Sequence, residues 1–266
     1  MSIKIPKIMH FYWDMSKLSY LQYMTIISFK KQNPDWDIII HENEVVTRAI
    51  TWDTDEQRIL YNGYDWYPEL KKLPYVKLNY VDFEKIGFKN DVPEVFKSDF
   101  LRWYLLSTVG GGWSDIDILY LKPINTIDID NSDTVICFRG DVHIIGFYLS
   151  KPENPFFKKI LDNITIDFDR TKYQSIGSTL LNTLYPSIDN IDMDIKLKNI
   201  SMDVVYPYRD GDINILFNEI DLNKLKEETI GVHWYNGSRI SKIFNQNYDQ
   251  TNNNINNTIT EILKMI

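Results

Sequence analysis

The chain has 266 residues and a formal net charge of −8, and this length suits one α/β domain with a well buried core. The negative charge, without a stripe of Lys and Arg, argues against a surface that follows nucleic-acid phosphates. Cys137 is the single cysteine, so no intramolecular disulfide forms, and its apolar neighbours predict a buried thiol. The N-terminus lacks the apolar centre of a signal peptide and no apolar run reaches membrane-spanning length, so we expect a cytoplasmic protein without a membrane span.

The N-terminal part of the chain predicts the beginning of a parallel sheet. Residues 5–13 are apolar and predict a strand, residues 18–31 carry apolar side chains at helical spacing, and residues 36–41 predict the next strand. Asn33-Pro34 ends the helix between them. Residues 42–95 predict charged surface helices joined by loops.

The remainder of the chain alternates in the same way. A helix over 94–108 is followed by Gly110-Gly111-Gly112, which ends it, and the next apolar run predicts a strand over 113–120. The later predicted elements are strands over 134–139, 143–149, 204–207 and 229–235, and helices over 153–164, 175–185 and 258–266. Residues 252–257 are Asn-rich, so we expect one α/β domain over 1–244, then a connector and a short helix over 245–266.

Asp-X-Asp, the usual sequence mark of metal-dependent glycosyl transfer, occurs seven times and identifies nothing by count alone. The pairs are Asp35/Asp37, Asp53/Asp55, Asp115/Asp117, Asp128/Asp130, Asp167/Asp169, Asp192/Asp194 and Asp210/Asp212. Only Asp115 and Asp117 lie in an otherwise apolar predicted strand. Residues i and i+2 of a strand point the same way, and two buried carboxylates need a compensating cation. Mg²⁺ or Mn²⁺ fits these oxygen ligands; a solvated loop or helix caps are the alternative, equally favoured by the local sequence.

A longer pattern surrounds this pair. Lys97–Leu106 with Gly110–Asp117 resembles the DXD-containing sugar-binding region of the glycosyltransferase family that includes yeast initiating α-mannosyltransferases, capsular-polysaccharide transferases and, distantly, the large clostridial glucosylating toxins. Residues 5–13, 28–41 and 232–238 resemble its first strand, its second βα step and its closing His/Trp/Ser segment.

The resemblance implies a GT-A fold: a Rossmann-like α/β domain with a mainly parallel central sheet, a donor half over about 1–122 and an acceptor half over about 123–244. It implies a nucleotide-sugar donor, with UDP our first expectation and GDP the second. It further implies a divalent cation, Mn²⁺ or Mg²⁺, and transfer with retention of the anomeric configuration.

The resemblance also assigns roles on the donor side. Asp117 is expected to ligate the metal directly, and Asp115 to contact the ribose or a metal-bound water. Asp99 and Arg102, three residues apart on one helix, face the same way and are expected to contact the donor sugar; a surface salt bridge is the alternative. The other expected donor contacts are Tyr12 or Trp13 over the nucleobase, and Gly111 and Gly112 at the sugar.

The segment from His233 to Arg239 is expected to close over the diphosphate. His233 is expected to ligate the metal or contact phosphate, although a satisfied core histidine is the alternative. Trp234 fits a core position as well as a contact. Ser238 is expected to touch the β-phosphate, and Gly237-Ser238-Arg239 is a turn that can fold onto the diphosphate and exclude water.

Two departures from the family pattern lie on the acceptor side. Gly177-Ser178 stands where the family often has Gly-Pro, and Ile144–Phe147 lacks the expected Asn. The donor machinery therefore carries over better than any acceptor assignment. No residue stands out as a covalent nucleophile. The expected chemistry is departure of a nucleoside diphosphate, with the cation, Arg102 and His233 neutralising its charge, followed by attack of a hydroxyl of a glycan from the same face.

Three alternatives stay open at this stage. The first is a nucleotide-sugar or carbohydrate-binding module that has lost catalysis. The second is a metal-dependent phosphotransfer or nucleotidyl enzyme, which the lack of a P-loop and of GxGxxG disfavours. The third is a viral-type transferase with a nucleic-acid acceptor, which would need a local positive groove that the sequence does not show. The Asn-, Ile- and Lys-rich composition indicates an AT-rich viral or low-GC microbial genome, which concerns the source and not the function. The sequence leaves the sugar, the linkage and the oligomeric state open.

Overall fold

A computed structural model of the chain describes residues 4–43, 45, 60–165, 167–248 and 255–266. Its strands are β1 (Ile8–Trp13), β2 (Asp37–Glu42), β3 (Val76–Tyr80), β4 (Gly111–Ser114), β5 (Ile118–Tyr120), β6 (Thr134–Ile136), β7 (Phe138–Arg139), β8 (Val142–His143), β9 (Phe147–Ser150), β10 (Leu197–Asn199) and β11 (Gly231–His233). Its helices are α1 (Tyr20–Gln32), α2 (Tyr67–Lys71), α3 (Glu94–Thr108), α4 (Pro155–Asp162), α5 (Ser178–Leu184), α6 (Ile213–Asn218), α7 (Arg239–Asn247) and α8 (Thr258–Met265).

Seven strands form the central sheet in the order β10-β6-β9-β4-β1-β2-β3. All of its pairings are parallel except those of β9, which runs antiparallel to both β4 and β6. The predicted α/β fold with a mainly parallel sheet is therefore confirmed. Two small sheets stand beside it, one joining β5 to β11 and one joining β7 to β8.

Both faces of the central sheet are covered, as an interior parallel sheet requires. Along β1, Met9 and Phe11 belong to the core that contains the buried side of α1, whereas Tyr12 belongs to the core beneath α3. A third cluster gathers α6, α7 and α8 around the fully buried Trp234. The expected short C-terminal helix is thus packed into the domain. The first half of the Asn-rich segment, residues 252–254, lies outside the described residues.

The helix that carries the family motif begins and ends where the sequence predicts. α3 starts directly after Pro93 and stops at Thr108. Gly110 (φ +71°) and Gly111 (φ +97°) then turn the chain into β4. Any side chain would be strained at these angles, and at Gly110 a methyl group would also meet the backbone of residues 150–152 at 2.5–2.7 Å. This tight turn fixes the position of α3 relative to the strand that follows it.

Three expectations about secondary structure are wrong. The strand expected over 113–120 breaks after Ser114, because β4 stays in the central sheet while β5 pairs with β11. The strand expected over 204–207 is absent, and a 3₁₀ turn over Met202–Val204 occupies its start. Residues 76–80, expected to be helical, form the edge strand β3. Cys137 is buried as predicted, and no helix in the described part of the chain is long and apolar enough to cross a bilayer.

Candidate active site

Asp115 and Asp117 lie in the three-residue link between β4 and β5. The Asp115 N–H donates to the Gly146 carbonyl (2.7 Å), and the Asp117 carbonyl accepts from the Trp234 N–H (2.9 Å). These hydrogen bonds attach the first residue of the link to Gly146, directly before β9, and its last residue to Trp234, directly after β11. The two carboxylates converge because of this turn. The expectation that the alternation of one strand aligns them is wrong.

Asp117 faces the C-terminal segment. Its side chain is 12% exposed; Oδ2 accepts from the Asn236 N–H at 2.8 Å, and Oδ1 lies 3.0 Å from His233 Nε2. Burial alone would raise the pKa of the Asp117 carboxyl, but His233 and the Asn236 N–H outweigh burial and lower it. Burial alone would lower the pKa of His233, and the two aspartates outweigh it and raise that pKa.

Asp115 is held by α3. Its Oδ1 accepts from Arg102 Nη2 at 2.9 Å and from Trp113 Nε1 at 3.0 Å. Arg102 is 3% exposed and its Nη1 donates to Asp99 Oδ1 at 2.8 Å. Its guanidinium centre also lies 5.0 Å from the Trp113 ring centroid, within cation–π range. The salt bridge between Asp99 and Arg102 is thus present. It is buried, not at the surface, and Arg102 also pairs with Asp115.

Asp115, Asp117 and His233 form one ligand cluster. One ligand atom from each lies within 4.8 Å of the other two, and no ion pair or hydrogen bond within the described residues satisfies His233 Nδ1. Asp117 Oδ1 faces the imidazole without a hydrogen bond of good geometry. Two carboxylate oxygens and an imidazole nitrogen suit a divalent cation, and Mn²⁺ accepts this mixed set more readily than Mg²⁺ does.

The cluster lies on the wall of a cleft of about 950 Å³, a volume at the upper end of small-molecule sites. Donor-side and C-terminal residues meet there, among them Ser98, Asp99, Arg102, Asn236, Ser238 and Arg239. A second cavity of about 560 Å³ contains Trp13, Asp14, Lys17, Glu94, Asn245 and Gln246 in its wall. Tyr12, Val95, Ser98, Ile116, Asn236 and Lys242 line both cavities, so the two adjoin.

The structure places the two expected base-stacking residues differently. Tyr12 is 8% exposed, and its ring packs edge-on against Phe83 at 6.1 Å. Its hydroxyl donates to Glu94. Trp13 lines the second cavity, with its indole N–H fixed by the Ser16 carbonyl at 2.9 Å. Of the two, Trp13 has the more available ring face.

Other expected site residues lie further from the cleft. Gly111 and Gly112 are buried in β4 against β1, where methyl groups would meet the Ile8 carbonyl at 2.6 Å and the Met9 side chain at 2.6 Å. Neither is in the cleft wall, and neither is Trp234, which is fully buried in the C-terminal core. Of the remaining Asp-X-Asp pairs, Asp53/Asp55 lies outside the described residues, and Asp210 alone reaches the cleft.

The C-terminal segment reaches the cleft as an ordered turn and helix. Ser238 caps α7, its side chain accepting from the Ser241 N–H at 3.2 Å. Ser241 in turn donates to the Trp234 carbonyl at 2.9 Å. Arg239, the first residue of α7, lies exposed at the mouth of the cleft.

Some site residues escaped the sequence reasoning. Tyr206 is 2% exposed, lines the cleft and has a buried hydroxyl with no hydrogen-bond partner within the described chain. A methyl group at Gly146 would meet both this hydroxyl and the Asp115 carboxylate, and a methyl group at Gly177 would meet the Asp99 carboxylate. The two glycines fall in the segments that depart from the family pattern. No local signal marks Tyr206, because only the fold brings it beside Asp115.

A mainly parallel sheet, with an Asp-Asp-His cluster in a cleft beside its central strands, is the arrangement expected of a GT-A fold. Residues 22–133 match the family described as glycosyltransferase sugar-binding region containing DXD motif. That range contains Asp99, Arg102, Asp115 and Asp117, so the resemblance stated from the sequence is confirmed. The protein is a glycosyltransferase, and these four residues lie within the matched range.

Solved structures agree at the level of the fold. The chain is similar to the PaToxG glycosyltransferase, with a TM-score of 0.51 and 17% identity over 71% of each chain. It is also similar to the ligand-free glycosyltransferase domain from the YGT toxin, with a TM-score of 0.51 and 10% identity over 82% of this chain and 84% of that one. No curated protein matches the sequence. At these identities the likeness establishes the GT-A fold alone.

Proposed function

We propose that the protein is a metal-dependent, retaining glycosyltransferase that moves a hexose from a UDP- or GDP-sugar to a hydroxyl of a glycan. The observation that carries the proposal is the cluster of Asp115, Asp117 and His233 on the wall of a large cleft. Retention follows from the family resemblance.

A divalent cation in this cluster would neutralise charge on the departing nucleoside diphosphate. Asp117 and His233 would be its direct ligands, and Asp115 would supply a further oxygen or hold a bound water. Three further positive groups line the cleft. Arg139 stands on β7, whereas Arg239 and Lys242 stand on α7, where they can approach the diphosphate.

Arg102 acts in this proposal through the groups it holds. Both of its terminal nitrogens already donate to carboxylates, one on Asp99 and one on Asp115. It therefore fixes the two carboxylates that face the donor, instead of contacting the diphosphate as the sequence suggested. A rigid, charge-paired carboxylate loses little entropy when it binds a sugar hydroxyl or a metal-bound water.

The two cavities divide the donor between them. The diphosphate and hexose occupy the cleft beside the ligand cluster, and the nucleobase occupies the adjoining cavity with Trp13 against its face. Aromatic stacking of this kind accepts any base, which leaves UDP and GDP both open. The hairpin of β7 and β8 also lines the cleft, as do Tyr173, Gln174 and Ser178. In this proposal these residues bind the acceptor.

Metal-dependent turnover tests the proposal. UDP-hexoses and GDP-hexoses are incubated with the protein and Mn²⁺, and release of the nucleoside diphosphate is measured without an acceptor and with a panel of glycans. We expect slow hydrolysis that EDTA abolishes and Mn²⁺ restores. Asp117→Asn should reduce it about 100-fold or more, and Asp192→Asn, at an exposed aspartate, should leave it unchanged.

The same assay separates the alternatives. Full activity in EDTA would contradict the metal role. Metal-dependent nucleotide-sugar binding without any turnover would identify a binding module. Binding that ignores the sugar would favour a phosphotransfer or nucleotidyl enzyme.

A further inference from the structure

An ion pair with a fully buried lysine lies between the C-terminal end of β1 and the first turn of α3. The Lys97 side chain is 0% exposed and its Nζ donates to Glu94 Oε1 at 2.9 Å. It also donates to Asn43 Oδ1 at 3.3 Å and to the Val45 carbonyl. The second carboxylate oxygen of Glu94 accepts from the Tyr12 hydroxyl.

A fully buried ammonium is expensive unless oxygens surround it, and here three of them do. The outcome is a Glu94 carboxylate fixed in direction by two donors from different elements. Its charge is balanced by Lys97, so it can stand in an anion-binding region without repelling the whole ligand.

Glu94 shares one face of α3 with residues of the donor site. Glu94, Ser98 and Arg102 are spaced four residues apart, so they line up along the helix. Glu94 lies in the wall of the second cavity, Ser98 in the walls of both and Arg102 in that of the cleft. A donor with its sugar beside Arg102 therefore extends its nucleoside towards Glu94.

The chemistry of a carboxylate limits what it can bind there. It only accepts hydrogen bonds, and its charge disfavours contact with phosphate. Base N–H groups and ribose hydroxyls remain as donors. Glu94 lines the cavity that also contains Trp13, and in the proposed function that cavity holds the base. Trp13 offers a ring face, and Glu94 offers an acceptor for the base edge.

We propose that Glu94, positioned by Lys97 and Tyr12, accepts a hydrogen bond from the imide N–H of the donor's nucleobase and selects uracil or guanine over adenine or cytosine. Adenine and cytosine present a ring-nitrogen lone pair at the corresponding position, which a carboxylate repels. This inference rests on the proposed function, since it requires a nucleotide donor in the two cavities.

The test is a thermodynamic cycle that combines loss of the base N–H from the ligand with loss of the Glu94–Lys97 ion pair from the protein. Affinities for UDP, N3-methyl-UDP and 2′-deoxy-UDP are measured by calorimetry with Mn²⁺ for the parent protein and for Glu94→Leu/Lys97→Met. N1-methyl-GDP and GDP replace the uridine pair if GDP binds more tightly. The double variant removes both charges, and apolar replacement of a buried ion pair is often neutral for stability.

We expect the parent to bind N3-methyl-UDP at least about tenfold more weakly than UDP. The double variant should bind UDP about tenfold more weakly than the parent and no longer distinguish it from the methylated form. It should remain folded, with a melting temperature lowered by the lost partners of Tyr12 and Asn43, and should keep its sensitivity to the 2′-deoxy change.

Three results would overturn the inference. Equal affinity of the parent for UDP and N3-methyl-UDP does so without any variant. If a folded double variant still preferred UDP to N3-methyl-UDP as strongly as the parent does, the ion pair would have a structural role only. Loss of 2′-deoxy sensitivity in place of N3-methyl sensitivity would assign Glu94 to the ribose. Metal-dependent donor hydrolysis is measured beside these, so the proposed function stands when the inference alone fails; absence of any nucleotide binding overturns both.

Discussion

Gly146 lies directly against the Asp115 carboxylate. A methyl group at this glycine would stand 2.7 Å from Asp115 Oδ2 and 2.7 Å from the Tyr206 hydroxyl, closer than nonbonded atoms approach. Asp115 Oδ1 is already fixed by Arg102 and Trp113. The carboxylate therefore has no room to give way without leaving its hydrogen bonds.

Gly146→Ala is expected to displace Asp115 and reduce metal-dependent donor hydrolysis about 100-fold, since misplacement of a catalytic group by about 1 Å has that effect. Gly177→Ala should act similarly through Asp99, because its methyl group would stand 2.5 Å from Oδ2. Rates and melting temperatures of both are compared with those of Gly211→Ala, where a methyl group meets nothing within 4 Å. Parent-like rates in Gly146→Ala would show that Asp115 does not need this position.

Trp13→Ala is expected to weaken nucleotide binding by about 1–3 kcal/mol, the range for a base stacked on an aromatic ring. Trp13→Phe keeps a ring in the second cavity and serves as the control, with a smaller loss. Binding is measured by calorimetry in Mn²⁺. Trp13 also packs against the core below β1, so the melting temperature is recorded alongside. Unchanged affinity in a folded Trp13→Ala would place the base elsewhere.

The sequence predicts α3 well because its bounds have local causes: Pro93 precedes it and glycines follow it. The break at Asp115–Asp117 has no local cause, since it depends on β5 pairing with β11 more than 110 residues later. The approach of His233 to Asp117 depends on the same pairing, and only the family resemblance indicated it. Lys97 and Glu94 look like an ordinary i,i+3 surface pair in the sequence. They are enclosed by contacts with Asn43, Val45 and Tyr12, which are distant along the chain.

Stability is expected to fall as the pH drops from about 6.5 towards 4, because of two buried histidines. His10 Nε2 faces the Gly110 carbonyl at 3.1 Å, His10 Nδ1 lies 2.9 Å from His41 Nε2, and Asn79 Nδ2 lies 3.0 Å from His41 Nδ1. The Gly110 carbonyl only accepts, so His10 carries a proton on Nε2. With both rings neutral, His10 Nδ1 accepts from the His41 Nε2–H, and His41 Nδ1 accepts from the Asn79 amide. Burial lowers the pKa of His10 to about 4 and that of His41 to about 3.

The sign follows from proton uptake. The unfolded chain takes up these protons near the ordinary histidine pKa of 6.5, whereas the folded protein does not, so between these values the unfolded state binds more protons and gains stability. Each pH unit between the two pKa values of a group changes the free energy of unfolding by about 1.4 kcal/mol. Protonation of His10 in the unfolded chain therefore lowers this free energy by roughly 3 kcal/mol at pH 4. Urea unfolding at pH 7 and at pH 4.5 measures the loss, and ¹⁵N spectra report the rings. Imidazolium shifts for both rings in the folded protein at pH 5.5 would contradict the expectation.

The segment from His233 to Arg239 is expected to respond to metal and nucleotide together. The Asn236 N–H donates to Asp117 Oδ2 at 2.8 Å, so a cation that draws on Asp117 changes the acceptor that holds this segment. Arg239 and Lys242 follow on α7 and line the cleft, where a diphosphate would attract them. Ligand binding therefore stabilises α7, because a ligand that binds only the folded segment disfavours its opening.

Limited trypsin digestion measures this coupling. Cleavage after Arg239 or Lys242 requires α7 to open, and its rate should fall at least several-fold when Mn²⁺ and a nucleotide-sugar are both present, with less protection from either alone. Cleavage after Lys196 or Lys198, at and beside β10 on the far edge of the sheet, is the internal control and should not change. Asp117→Asn should remove the protection, because it removes a metal ligand and alters the acceptor of the Asn236 N–H. Equal cleavage rates with and without ligands would exclude closure of this segment over the donor.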